Sequence, residues 1–153
     1  MKTGLVRQNH PVLRQKAKTV TVFDAKLRLL AIKMHYLMKA KDGIGLAACQ
    51  VGKSIRFIIV SAPADSFDVP KTVYMVNPEL TYKSEEVVDS VEGCLSIPGV
   101  FYRVQRHKII SVKYQDVYGV EKFLVGDGLF SLVVQHECQH NEGILMSDLG
   151  VPA

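Results

Sequence analysis

Gly126-Asp127-Gly128-Leu129-Phe130-Ser131-Leu132-Val133-Val134-Gln135-His136-Glu137-Cys138-Gln139-His140-Asn141-Glu142-Gly143 reads as a helix framed by turn residues. Gly126-Asp127-Gly128 precedes the start near Leu129, apolar positions carry it through Val133 and Val134, and Gly143 ends it. A second helix lies upstream, where Leu27, Leu30, Ala31, Met34, Leu37 and Met38 recur at three- and four-residue steps and share one face. Asp24 suits the positive end of that helix, and Gly43 offers a stop. His35 falls at the margin of the apolar stripe and reads as an edge residue.

Between the helices the chain turns strand-like. Ile55 to Val60 and Val73 to Val76 are short, β-branched or aromatic runs, separated by a polar loop from Ser61 to Pro70. Lys108 to Gln115 and Glu121 to Val125 predict a hairpin around Asp116-Val117-Tyr118-Gly119. Two helices with antiparallel strands between them define the α+β class, a single domain over residues 1–153 with the strands packed around the C-terminal helix.

Composition narrows the function classes. With 48% hydrophobic residues the 153-residue chain can bury a real core, and no low-complexity tract suggests disorder. The net charge is +4, but the basic residues are scattered from Lys2 to Lys122, so no direct nucleic-acid partner is expected. No apolar run approaches the ~18 residues of a membrane span, and Met1 to His10 lacks a signal-length apolar stretch. Three cysteines, 49, 94 and 138, make an odd and widely spaced set, which points to a reducing cytoplasm rather than a disulfide framework.

The chemistry concentrates in His136-Glu137-Cys138-Gln139-His140. Residues i and i+4 of a helix differ by about 40° around its axis, so both imidazoles can reach one metal ion. Glu137 lies about 100° round from His136, on the side from which a carboxylate reaches metal-held water; Cys138, at about 200°, faces away into the core. For this composition an accidental match is roughly a one-in-a-hundred event. Such sites usually need three protein ligands, and the residues after His140 include no His or Cys, while Glu142 points elsewhere. The third ligand is therefore expected upstream. Cys94, within Glu92-Gly93-Cys94-Leu95-Ser96, is the best candidate, a soft donor beside a glycine that admits close backbone approach, although in isolation it reads as a small buried side chain.

Gly43-Ile44-Gly45-Leu46-Ala47-Ala48-Cys49-Gln50 adds a third motif, small residues ending in an amide donor. Taken in order, G-x-G-L-A-A-x-Q, E-G-C-L-S and Q-H-E-x-x-H resemble peptide deformylase, and the similarity extends from Pro11-Val12-Leu13-Arg14 to Gly143-Ile144-Leu145. The resemblance implies a metal-dependent hydrolase that removes the formyl group from the N-terminal formylmethionine of new polypeptides and releases formate. It implies Cys94, His136 and His140 as metal ligands, Glu137 as the general base for a water held by the metal, and Gln50 with the Leu95 amide as donors to the formyl oxygen. A peptide extended beside Ile44, Gly45 and Gly93, with its methionine among Leu129, Leu132 and Val133, follows from the same likeness. The implied cofactor is one divalent ion per chain, ferrous iron in the cell, with nickel, cobalt or zinc in a purified sample. The implied partner is the N-formylmethionyl nascent peptide, and a monomer in a bacterial cytoplasm, or of a virus within a bacterial host, is expected.

Some positions depart from the family pattern. Gln139 stands where an aspartate is usual, and Arg106 is the residue expected to meet it; Cys49 stands where proline is common. Phe101 and Tyr102 occupy a stretch that often carries an arginine, and are expected to make the groove more apolar. Since the chain stops at Ala153, ribosome docking through a long C-terminal helix is not expected. Two other readings follow from the same residues: a metal-binding relic that holds formyl peptides with little or no turnover, and a metalloendopeptidase built on the same helix.

Overall fold

Asp24 starts the first helix by accepting the Leu27 amide at 3.1 Å, which satisfies one of the orphan donors of its first turn. In the computed structural model, which describes residues 4–153, this helix, α1, runs Ala25–Ala40. Met1 to Thr3, the start of the segment read for a signal, lie outside the described residues. Leu27, Ala31, Met34 and Met38 are buried, with Leu30 and Leu37 packed beside them, as the periodicity predicts. The stop differs from expectation: the left-handed residue after α1 is Asp42 (φ 55°), a conformation that aspartate tolerates, and not Gly43. His35 sits at the helix edge, its Nδ1 3.0 Å from the Tyr74 hydroxyl.

The strands follow as β1 (Gly45–Ala47), β2 (Phe57–Val60), β3 (Val73–Lys83), β4 (Val87–Cys94), β5 (Ile97–His107), β6 (Ile110–Gln115) and β7 (Glu121–Gly126). Helix α2 (Gly128–His140), a single turn α3 (Met146–Leu149) and the short β8 (Val151–Pro152) complete the chain. Two antiparallel sheets form, one ordered β1-β2-β3-β6-β7 and the other β4-β5-β8.

Strand β2 explains how the helices are placed. Each of its four residues is buried, and they divide by alternation. Ile58 and Val60 join Phe130, Val133 and Val134 of α2 in one core; Phe57 and Ile59 join the apolar stripe of α1 in the other. A strand covered on both faces needs a continuous apolar run, and each such side chain removed from water contributes about 1.5–3 kcal/mol. The predicted 108–125 hairpin is present as β6 and β7, paired from Ile110↔Gly126 to Gln115↔Glu121.

Two strand predictions need correction. β3 continues seven residues past Val76, because the Asn77-Pro78 step is a bulge instead of a turn. Asn77 (φ 51°) exchanges hydrogen bonds with both backbone groups of Val20 and donates to Gln115 Oε1, and within such a bulge the missing proline N–H costs nothing. The β4–β5 hairpin lacks the alternating apolar pattern that marks a strand in the sequence, since its inward face is polar. Ser90, Glu92, Cys94 and Arg106 point in, while Val87, Val91 and Phe101 are exposed. This sheet keeps a small core of Cys94, Ile97, Val104 and Met146, and Tyr102 packs against that core, so of the two aromatics expected in the groove only Phe101 lies there. Helix α2 packs against β1 and β2 on one side and β5 on the other, which brings the turn after Cys94 to the two histidines.

Candidate metal centre and active site

Helix α2 presents His136 and His140 one turn apart, with ring centroids separated by 5.1 Å. Cys94, at the end of β4, sets its Sγ 3.5 Å from His140 Nε2, and one ligand atom from each of Cys94, His136 and His140 lies within 4.8 Å of the others. One sulfur and two imidazole nitrogens, all at least nine-tenths buried, fit a divalent transition metal with a position left for substrate. Among the described residues this is the only such cluster.

The His136 imidazole is aimed from behind. Glu92, two residues before Cys94 and so on the same face of β4, accepts from His136 Nδ1 at 2.9 Å, which turns the other ring nitrogen toward the cluster. The same carboxylate accepts from Arg106 Nε (2.9 Å), Arg106 Nη2 (2.8 Å) and the Ser90 hydroxyl (2.8 Å). Burial acts to raise the Glu92 pKa, but the hydrogen bonds from Arg106 and His136 and their charge outweigh it and hold the group at about 2. Arg106 spends its remaining arm on Gln139 Oε1, the contact expected for that pair. Glu92 thus supports the cluster although no motif in the sequence assigns it a role.

Electrostatics at the cluster favour a cation. Burial opposes a positive charge on His136, yet the Cys94 hydrogen bond, the Glu137 charge and Glu92 together raise its pKa to about 10. His140 is held well below its ordinary value by burial, by His136 and by Arg106, so its ring is neutral and can donate a lone pair. Glu137, 4% exposed, is pushed up to about 7, burial being the main cause, with Glu92 adding to it and His136 and Arg106 opposing. That places a general base near neutrality. Its Oε1 is buried with no hydrogen-bond partner among the described residues.

Strand β1 closes over this carboxylate. A Cβ at Gly45 would stand 2.6 Å from both Glu137 Oε2 and Val133 Cγ1, so only glycine allows the strand to lie on the helix here. Three residues beyond β1, Gln50 is 1% exposed; its Oε1 accepts from the Ala47 amide at 2.9 Å, and its Nε2 donates to Ser96 Oγ at 3.2 Å and points at Cys94 Sγ at 3.5 Å. Leu95 occupies the turn between β4 and β5. Gln50, Cys94, Leu95, His136 and Glu137 all line one cavity of about 860 Å³, a size suited to a small ligand. Ile44, Gly45, Gly93, Leu129, Leu132 and Val133 line it as well, so every residue singled out for substrate faces the same space.

The remaining cysteines stand apart from this chemistry. Cys49 is buried with its Sγ 3.8 Å from the His140 carbonyl, and burial, with Glu137 and Cys94 adding, pushes its thiol up to about 12. Cys138 faces the main core as the helical angle predicts, and burial likewise raises it to about 12. Glu142 turns away to pair with Arg56 at 3.0 Å.

A cysteine on a strand and an H-E-x-x-H helix, joined around a buried glutamate in a cleft, define a metal-dependent hydrolase. The family described as Polypeptide deformylase matches residues 3–151, and the chain belongs to it. The peptide deformylase of Desulfotalea psychrophila is 41% identical over 138 residues, covering 90% of this chain and 81% of the relative. The crystal structure of peptide deformylase from Thermotoga maritima superposes with a TM-score of 0.89 at 37% identity and 97% coverage of each chain. A Met-Ala-Ser-bound class I type b peptide deformylase from Acinetobacter baumannii gives 0.90 at 32% identity, over 97% of this chain and 98% of that one. Among the described residues no helix is long and apolar enough to cross a membrane.

Proposed function

We propose that Cys94, His136 and His140 hold one divalent cation and that Glu137 beside them serves as the general base in removing the formyl group from N-terminal formylmethionine. The convergence of Cys94, His136, Glu137, Gln50 and Leu95 on one cavity, with His140 clustered beside the first two, carries the reading. When bound, the cation supplies Lewis acidity to water and to the formyl oxygen. Glu137 takes a proton from the attacking water and passes it to the amine nitrogen as the formyl C–N bond breaks, leaving formate and a free amino terminus. Gln50 Nε2 and the Leu95 N–H donate to the formyl oxygen as it gains negative charge, worth about 2.7–4 kcal/mol for each such donor. Ile44, Gly45 and Gly93 flank the peptide backbone, and Leu129, Leu132 and Val133 receive the methionine side chain.

The ion proposed for the cell is ferrous iron, with nickel, cobalt or zinc able to occupy the same donors in a purified sample. Nascent N-formylmethionyl peptides are the partners, and the whole chain 1–153 acts as one monomeric unit in a bacterial cytoplasm, including one occupied by a virus. The test is formate release from formyl-Met-Ala-Ser by protein purified without oxygen and loaded with iron or nickel, beside Glu137→Ala carrying the same metal. Rapid release by the parent and almost none by the variant is the expected result. No release from a fully metallated parent refutes turnover and leaves binding alone; cleavage of internal peptide bonds without preference for a formyl group identifies an endopeptidase.

A further inference from the structure

The mouth of the catalytic cavity carries more exposed apolar surface than a methionine pocket needs. Val91 (56% exposed), Val100 (41%) and Phe101 (53%) from the β4–β5 hairpin, with Ile44 (43%) and Leu129 (41%), all line it. The charged side chains that share this lining, apart from Glu92, His136 and Glu137, are Arg7, Lys41 and Asp42, and none of them comes from the hairpin. One wall of the approach is therefore apolar and exposed, and a grouped patch of this kind marks a surface that a ligand covers.

Phe101 is built into this wall and does not simply hang from it. In the β4–β5 register Gly93 faces Phe101 and Cys94 faces Ile97, so Pro98, Gly99 and Val100 arch out as a bulge with Gly99 at φ 77°. The ring settles over the bare backbone of Gly93, where a Cβ would lie 3.0 Å from Phe101 Cε1; glycine at this register position gives the aromatic its seat. The Phe101 carbonyl accepts the Ala153 amide at 2.9 Å, and Tyr102 pairs with Pro152, so the backbone under the ring is held from the other edge as well. A fixed aromatic one residue across the sheet from the strand that carries Cys94 offers apolar contact at little cost in conformational freedom.

The geometry points to Phe101 as a specificity residue that favours formylated peptides with apolar or aromatic side chains just after the methionine. This rests on the deformylase reading given above and adds the class of nascent chain that the enzyme prefers. Contact with half of a phenyl face and its neighbours corresponds to about a five- to tenfold gain in kcat/KM over a peptide with small polar residues.

The experiment compares formate release from formyl-Met-Leu-Phe, formyl-Met-Ala-Ser and formyl-Met-Asp-Glu by the metal-loaded parent, by Phe101→Ser and by Phe123→Ser. Phe123 lies on β7, 59% exposed and outside the cavity lining, and serves as the control for loss of an exposed aromatic. Each protein is read as the ratio of kcat/KM between peptides, so any loss of folded material cancels. The expected ratio of Leu-Phe to Ala-Ser is about five to ten in the parent and in Phe123→Ser, falling below about two in Phe101→Ser, with the change carried mainly by KM. Equal rates on all three peptides with the parent, or a ratio that survives in Phe101→Ser, overturn the inference and leave deformylation intact. Formate from none of the peptides overturns deformylation itself and the inference with it.

Discussion

Replacing Glu92 by glutamine separates what the buried ion pair does from what the metal does. The Glu92 and Arg106 side chains are 9% and 2% exposed, and the carboxylate satisfies two guanidinium nitrogens, His136 Nδ1 and the Ser90 hydroxyl at once. Glu92→Gln keeps the shape but leaves Arg106 with only neutral acceptors and sets an NH₂ group against donors. Removing one partner of a buried pair costs about 3–5 kcal/mol, and the amide carbonyl that remains argues for the lower end, ~3 kcal/mol. For a domain of this length that lowers the melting midpoint by about 6–12 °C, measured by circular dichroism in excess chelator so that metal does not contribute. The second effect is on the ion. His136 loses the charged acceptor that orients it, and loss of such support weakens metal binding by about 10–100-fold, equal to ~1.4–2.7 kcal/mol, read by competition for zinc with a chromophoric chelator. Glu86→Gln is the comparison, because its pair with Lys108 is 65% and 48% exposed at 3.5 Å and such contacts are worth about 0–1 kcal/mol. If Glu92→Gln melts and competes for zinc as Glu86→Gln does, the buried network does not support the site and the reasoning fails.

Other perturbations test neighbouring parts of the argument. Gln139→Asp gives Arg106 a second carboxylate in place of the amide it now contacts, and is expected to tighten zinc several-fold in the same chelator competition; an unchanged or weaker affinity contradicts it. Gln50→Ala should lower kcat by about 10²–10³ while the metal affinity stays within a few-fold, and an equal loss in both would make Gln50 a support of the cluster rather than a donor to substrate. Gly45→Ala forces a methyl against Glu137 Oε2 and Val133 Cγ1, so it should destabilise by about 1–3 kcal/mol and cut formate release sharply; a variant of normal rate would show that β1 can lift away from α2. Asp127 accepts the Asp65 and Ser66 amides at 2.8 and 3.0 Å, tying the 61–72 loop to the start of α2, and the Ser66 bond first of all lowers its pKa below 3.8. A depressed folded pKa gives stability that is present above the unfolded value and lost as pH falls through the folded one. Asp127→Asn should therefore melt ~2–4 °C below the parent at pH 7, with the gap closing below about pH 4; a gap constant down to pH 2.5 would rule out the carboxylate as its source.

What could be read from the chain depended on which side chains a face needed. α1 and β2 bury apolar groups on the faces they turn to the core, so their period showed. α2 carries both an apolar run and H-E-x-x-H, so its packing and chemistry were visible together. The β4–β5 hairpin was hidden because it turns Ser90, Glu92 and Arg106 inward and valines outward, the reverse of an ordinary half-buried strand. Period two itself still held a clue, since it places Ser90, Glu92 and Cys94 on one face, and a carboxylate beside a proposed metal ligand is a natural support for a histidine. Asn77-Pro78 ended β3 on paper for a related reason, as turn residues serve equally well in a bulge held by Asn77.

Cys94 and His140 lie 46 residues apart in sequence, and the strands β5, β6 and β7 are strung between them. An ion held as proposed by both residues would clasp the second half of the molecule shut, and could do so only after that half has assembled. At a free concentration a thousand times the dissociation constant, ligation adds about 4.1 kcal/mol in favour of the folded chain. In a cell starved of that ion the protein forfeits this increment, opens more often and meets proteases more often. With the proposed ligation, the supply of the ion would bear on the abundance of the enzyme as well as on its activity.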